Sequence, residues 1–246
     1  MLLVHGVGMN ADYWGNLKAP LSAHFALTII DMPGHGQSPL LPDPQPSLEH
    51  YTDAIATVIN TPPLTPTDTP PIVVGHSMGA LIALDLAVRH SPLVAGIGVL
   101  NGIYRRSRQA GDAILQRVAE LKGDNKPDPT KTLERWFGDA PQGHMAKVAT
   151  QCRHWLTSIN QQGYAAAYSA FARADAPADE ALRDIVCPAL FMTGELEPNS
   201  TPAMSHAMST LVNNSRCEVV KNARHMMSLT HAAEVNDSLV NYFKGR

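Results

Sequence analysis

Ser77 stands in Gly75-His76-Ser77-Met78-Gly79, directly after the apolar run Ile72–Val74 and directly before a helical pattern over Gly79–His90. Strand, Gly-x-Ser-x-Gly, then helix is the context of a nucleophile elbow. There a tight turn holds the serine in a strained backbone conformation, so its hydroxyl projects above the sheet. Gly75 and Gly79 leave room for strand and helix to approach. The N–H of Met78, at the head of the helix, is placed to face an oxyanion developing on an attacked carbonyl.

A serine needs a base, an acid that orients the base, and a second oxyanion donor. For an elbow on an α/β sheet the chain order is serine, then Asp or Glu, then His. Two carboxylates follow the apolar run Ala189–Thr193 in Gly194-Glu195-Leu196-Glu197-Pro198, and Glu197 is the preferred acid, with Glu195 the alternative. After Cys217–Val220, the segment Asn222-Ala223-Arg224-His225-Met226-Met227 supplies His225 as the base, ahead of His231. Val4-His5-Gly6-Val7-Gly8 offers the backbone N–H of Val7 as the second donor. The reading calls for no metal and no cofactor.

These residues need a frame. Short apolar runs recur at Leu2–His5, Ala26–Asp31, Ile72–Val74, Ile97–Leu100, Ala189–Thr193 and Cys217–Val220. Uninterrupted apolar strands suit a parallel sheet covered on both faces, and the helical patterns between them predict an α/β fold with about six strands. The rhythm breaks between Leu100 and Cys187, where Ala113–Lys122, Leu133–Phe137, His144–Ile159 and Ala165–Ala174 read as helices. An insertion of that length predicts a helical cap over 103–185, on a core formed by 1–102 and 186–246. Its aromatic residues Trp136, Trp155, Tyr164, Tyr168 and Phe171 are candidates to line a substrate pocket. Pro62 to Pro71 reads as a surface connection.

Composition narrows the classes. The chain has 246 residues, 44% hydrophobic and 17% charged, as expected of one ordinary globular domain with an insertion. A formal net charge of -3 gives no broad basic surface for nucleic acid, and the cluster Arg105-Arg106-Ser107-Arg108 reads as a solvated loop. No segment reaches the roughly 20 apolar residues of a membrane span, and no basic-then-apolar leader opens the chain. The three cysteines, Cys152, Cys187 and Cys217, fit neither a disulfide framework nor a zinc motif, so a cytoplasmic location is expected.

Together His5-Gly6-x-Gly8, Asp31-Met32-Pro33-Gly34-His35-Gly36-Gln37-Ser38, the Ser77 motif and His225 resemble the successive signatures of α/β-hydrolases over nearly the whole chain. The resemblance implies that the Asp31–Ser38 loop is structural. Relatives usually have two antiparallel strands before the strand that opens this chain, so either the start is truncated or the sheet is a minimal one whose new edge favours association, as in a homo-oligomer, or insolubility. Glu197 stands where the family usually has Asp. Glu134-Arg135-Trp136-Phe137, Gln162-Gly163-Tyr164-Ala165-Ala166-Ala167 and Arg173-Ala174-Asp175 resemble the cap of 3-oxoadipate enol-lactonases. The expectation is a serine hydrolase cleaving a small carboxylic ester or lactone through Ser77, His225 and Glu197. C–C hydrolysis and cofactor-free perhydrolysis run on the same triad. Two rivals from other classes are a non-catalytic ligand-binding protein on this scaffold and an NAD-binding Rossmann domain. The second is suggested by Gly6-Val7-Gly8-Met9-Asn10-Ala11 with Asp31 ending the next strand.

Overall fold

The computed structural model describes residues 1–62, 69–120 and 128–245. Most of the expected Pro62–Pro71 connection, and Lys122 at the end of one expected helix, lie outside the described residues. Each apolar run becomes a strand: β1 (Leu2–Val4), β2 (Thr28–Ile30), β3 (Ile72–His76), β4 (Gly96–Leu100), β5 (Ala189–Gly194) and β6 (Ser215–Val220). They form one all-parallel sheet in the order β2-β1-β3-β4-β5-β6. The order reverses once, at β1 and β3, so the loops after these two strands open side by side at the carboxyl edge, where open α/β sheets bind ligands.

Strand side chains alternate between two cores. Val4, Val73, Ile97, Val99, Ala189 and Phe191 face one side, while Leu3, Val74, Leu100, Leu190 and Met192 face the other. Both faces are covered, which is why the strands carry apolar residues at successive positions. The helices α1 (Gly15–Ser22), α2 (Leu48–Ile59) and α3 (Met78–Arg89) alternate with the first strands. Between β4 and β5 run α4 (Arg108–Glu120), α5 (Thr130–Phe137), α6 (Gly143–Ser158), α7 (Gln161–Arg173) and α8 (Asp179–Arg183). After β5 come α9 (Pro202–Leu211), α10 (Met227–Thr230) and α11 (Ala232–Phe243). On one side α2 and α3 cover the sheet; Leu17 and Leu21 of α1 and Val235 and Leu239 of α11 cover the other.

α3 sits under the middle of the sheet, and nine of its twelve residues are buried. This closeness depends on the elbow glycines. A Cβ on Gly75 would lie 1.9 Å from the Gly79 carbonyl oxygen, and one on Gly79 would lie 2.2 Å from that of Val4. α7 approaches the Asp31–Ser38 loop as tightly, since a Cβ on Gly163 would meet the Gly34 oxygen at 2.0 Å. Among the described residues no helix is long and apolar enough to cross a membrane.

Candidate active site

The sharp turn from β3 into α3 gives Ser77 φ 56° and ψ −113°. Such a conformation costs an L-residue roughly 1 to 3 kcal/mol and persists only where its surroundings enforce it. Here the Ser77 N–H donates to the Leu100 carbonyl at 2.9 Å, and the Ser77 carbonyl accepts from the N–H of Ala80 at 3.0 Å. Held at both ends, the side chain lines a cavity of about 260 Å³ together with Val7 and His225. Met78 is the first residue of α3, so its N–H has no partner within the helix.

The loop carrying Val7 is braced by two histidines. His5 Nε2 accepts the Met32 N–H at 3.0 Å, which leaves the proton on Nδ1 to donate to the Gly6 carbonyl at 2.8 Å. His35 repeats the pattern, with Nε2 accepting the Gly8 N–H at 3.2 Å and Nδ1 donating to the Pro33 carbonyl at 3.2 Å. Both bridges require neutral rings. Burial, with His35 nearby, pushes His5 down to about 3 against the Gly6 hydrogen bond. Burial pushes His35 to about 4, against the Pro33 hydrogen bond and the Asp31 charge. Asp31 accepts the N–H groups of Ala11 at 2.7 Å and Gln37 at 2.8 Å. Its carboxylate is thus committed to backbone, and the segment after Gly8 forms a single 3-10 turn, Ala11–Trp14, before α1. A dinucleotide site would instead continue into a long helix and leave that carboxylate for a ribose.

Glu197 and His225 come from the loops after β5 and β6. Those loops are laced together by backbone hydrogen bonds from Glu195 N–H to the Val220 carbonyl and from Leu196 N–H to the Ala223 carbonyl, each 2.9 Å. Glu197 Oε2 accepts from His225 Nδ1 at 3.0 Å, and its Oε1 accepts from the N–H groups of Asn199 at 2.8 Å and Ser200 at 3.2 Å. Burial alone would raise this carboxyl. The neighbouring His225 and these three hydrogen bonds outweigh it and hold Glu197 at about 2. Glu195 is elsewhere, accepting the Asn222 N–H at 2.9 Å on the exposed side of the loop. It thereby supports a turn in which Asn222 has φ 58°.

His225 is fixed on three sides. Glu197 takes Nδ1, the Trp136 ring stacks on the imidazole at 5.7 Å and 18°, and His76 Nε2 donates to the His225 carbonyl at 2.9 Å. The nitrogen left to exchange a proton is Nε2. The sequence treats His76 as a packing residue; it is buried against Tyr13 and also anchors the backbone of His225. His231 bonds to Thr230 and does not line the cavity.

Of the aromatic candidates, Trp136 from α5 and Tyr164, Tyr168 and Phe171 from α7 line the cavity. Trp155 does not: it is buried from α6 in the core with Cys152 and Leu156, on the helix that packs against α5 and α10. The solvated reading of the arginine cluster holds for Arg105, Ser107 and Arg108, which are exposed, and needs correction only at half-buried Arg106; Arg105, Arg106 and Ser107 also border the cavity. Arg106 turns in against α7, its guanidinium 4.8 Å from the Phe171 ring. Arg135, Thr132, Asn101 and Ser200 also line the cavity, and no sequence argument singled these out as polar contacts. For Thr132 and Arg135 the available signal was their spacing of three on a helix beside Trp136.

Comparison with known proteins agrees with this architecture. A family model described as the alpha/beta hydrolase family matches residues 1–238. A protein of Acinetobacter baylyi named (E)-2-((N-methylformamido)methylene)succinate hydrolase is 38% identical over 241 residues, covering 97% of this chain and 88% of its own length. A pimeloyl-(acyl-carrier protein) methyl ester esterase of Aeromonas salmonicida is 28% identical over 252 residues, covering 100% of this chain and 95% of its own. Among solved structures, the enol-lactonase from Burkholderia xenovorans LB400 superposes with a TM-score of 0.86 at 23% identity, covering 98% of this chain and 89% of its own. The chain belongs to the alpha/beta hydrolase family and is an enzyme of the hydrolase class.

Proposed function

We propose that this hydrolase cleaves a small carboxylic ester or lactone with Ser77 as nucleophile, His225 as base and Glu197 as the acid that orients it. One observation carries the reading. A serine held in a strained turn shares a cavity with a histidine whose Nδ1 is bonded to a buried carboxylate. In the first half-reaction His225 Nε2 takes the Ser77 proton as Oγ adds to the substrate carbonyl, and the N–H groups of Val7 and Met78 stabilise the oxyanion. Collapse expels the alcohol, which receives the proton from His225. Water then attacks the acyl-enzyme by the same route, releasing the acid and restoring Ser77. Glu197 keeps the proton on Nδ1 and stabilises the imidazolium without itself being protonated.

Segment 103–185 serves here as a cap over the 1–102 and 186–246 core, with Trp136, Tyr164, Tyr168 and Phe171 walling the substrate site. A cytoplasmic setting accords with three free cysteines. A second reading has one specific support: the 38% identical relative is named for hydrolysis of a substituted succinate, so the scissile bond in this chain's substrate need not be an ester. The test is exposure to a fluorophosphonate followed by peptide mass mapping. The adduct is expected on Ser77 and absent after Ser77→Ala; a folded protein whose Ser77 resists the reagent contradicts the reading.

A further inference from the structure

Three arginines line the cavity, Arg105, Arg106 and Arg135, and among the described residues no Asp or Glu does. In a chain of net charge -3 this concentrates positive charge at the opening beside Ser77. Two of the three are engaged elsewhere. Arg105 Nη2 donates to Asp179 at 2.6 Å, and Arg106 donates to the carbonyls of Phe171 and Ala172 at the end of α7, the shortest of these bonds being 3.0 Å. Arg135 has neither an ion pair nor a hydrogen bond among the described residues. One turn earlier on α5, Thr132 lines the same cavity, is buried, and has an Oγ1 with no hydrogen-bond partner. A buried hydroxyl without a partner is costly, and a cluster of such groups around a cavity marks what the cavity is built to hold.

Thr132 and Arg135 lie three residues apart, so they occupy one face of α5. The next residue, Trp136, stacks on His225 and seats that helix against the reacting centre. A guanidinium fork beside a hydroxyl donor matches a carboxylate, which accepts two parallel N–H bonds and a third from the hydroxyl.

We propose that Arg135 and Thr132 form a carboxylate-binding subsite, and that the substrate is anionic, carrying a free carboxylate in addition to the group Ser77 attacks. This rests on the hydrolytic reading of Ser77 for its turnover arm but not for its binding arm. α5 sets the distance between carboxylate and scissile carbonyl, so the subsite selects chain length as well as charge. Arg106 adds positive potential without contacting the ligand.

The turnover arm compares monomethyl succinate through monomethyl pimelate with the neutral methyl esters of the monocarboxylic acids of equal length. The wild type is expected to favour the half-esters in kcat/KM, with an optimum at one length. Arg135→Gln is expected to reduce that preference roughly 10- to 100-fold, the range for hydrogen bonds to a charged group, and Arg135→Lys to restore part of it. Thr132→Val is expected to reduce it less than Arg135→Gln does. Melting temperatures of all variants check that they fold. The binding arm titrates the free dicarboxylates into wild type and Arg135→Gln, with Arg135-dependent affinity expected. Arg135-dependent binding without hydrolysis of any ester would retain the subsite and remove the ester-cleaving reading. A wild type that prefers neutral esters, a preference unmoved by Arg135→Gln, or dicarboxylate affinity equal in both proteins would each overturn the subsite.

Discussion

Glu197 Oε2 lies 3.0 Å from His225 Nδ1 while its other oxygen takes two backbone N–H groups, so every oxygen of this carboxylate has a partner. A longer side chain than the usual Asp is accommodated because the loop folds back on itself, Asn199 and Ser200 capping the acid from below.

That geometry separates Glu197 from Glu195 by experiment. Glu197→Gln is expected to lower kcat by about 10²- to 10⁴-fold, since an amide cannot stabilise the imidazolium and favours the wrong tautomer. Glu197→Asp withdraws the carboxylate by one methylene, and a misplacement of about 1 Å costs on the order of 10²-fold. Glu195→Gln keeps an amide oxygen that can accept the Asn222 N–H and loses only the charge on the exposed side, so it is expected to cost about 1 kcal/mol or less in stability, with kcat nearly unchanged. Steady-state kinetics on one chromogenic ester, with urea unfolding alongside, tests all three.

The histidine brace of the Val7 loop makes stability depend on pH. His5 and His35 are held at about 3 and about 4 when folded, whereas an unfolded histidine titrates near 6.5. Depressed values mean that the unfolded chain binds protons the folded chain refuses. Stability is therefore full above about pH 6.5 and falls as the pH drops towards about 4 and then 3, by roughly 3 to 5 kcal/mol per ring. Glu197 adds its own loss only below its ordinary value of 4.5, on the way to about 2. Unfolding midpoints measured from about pH 6.5 to pH 5 report chiefly on the buried histidines, His76 with them, since burial holds its ring low too; a flat profile there would contradict neutral, buried rings.

The elbow glycines are expected to be intolerant of any side chain. Gly75→Ala and Gly79→Ala would each drive a Cβ into backbone at 1.9 and 2.2 Å, contacts that no rotamer relieves. Each is expected to cost more than the roughly 1 to 3 kcal/mol of ordinary overpacking, or to prevent folding. Gly111 in α4 has nothing within 4 Å of its virtual Cβ. Gly111→Ala is expected to stabilise by about 0.5 to 1 kcal/mol, through helix propensity. Thermal melts of the three variants distinguish the cases.

Much of the core was legible in the sequence because its signals are local. Buried parallel strands announce themselves as apolar runs, and the Ser77 elbow as two glycines at fixed spacing, since both follow from what the backbone at that point can tolerate. Glu197 and His225 were legible by rank, as the polar residues of the loops after the last two strands. The helices between β4 and β5 were legible as helices but not by facing. Trp136 stacks on His225 and Trp155 packs into the core, although each is a tryptophan on an amphipathic helix. Which face meets the cavity is set by how α5 and α6 dock, and no local pattern encodes that. For the same reason Arg106 looked like its solvated neighbour Arg108, and His76 like packing alone.

The most direct test of the central assignment is turnover by Ser77→Ala on an ester or lactone that the wild type hydrolyses, with a melting curve to verify folding. A loss of roughly 10³-fold or more is expected, leaving only what the oxyanion donors and binding contribute. Undiminished turnover by folded Ser77→Ala would contradict it.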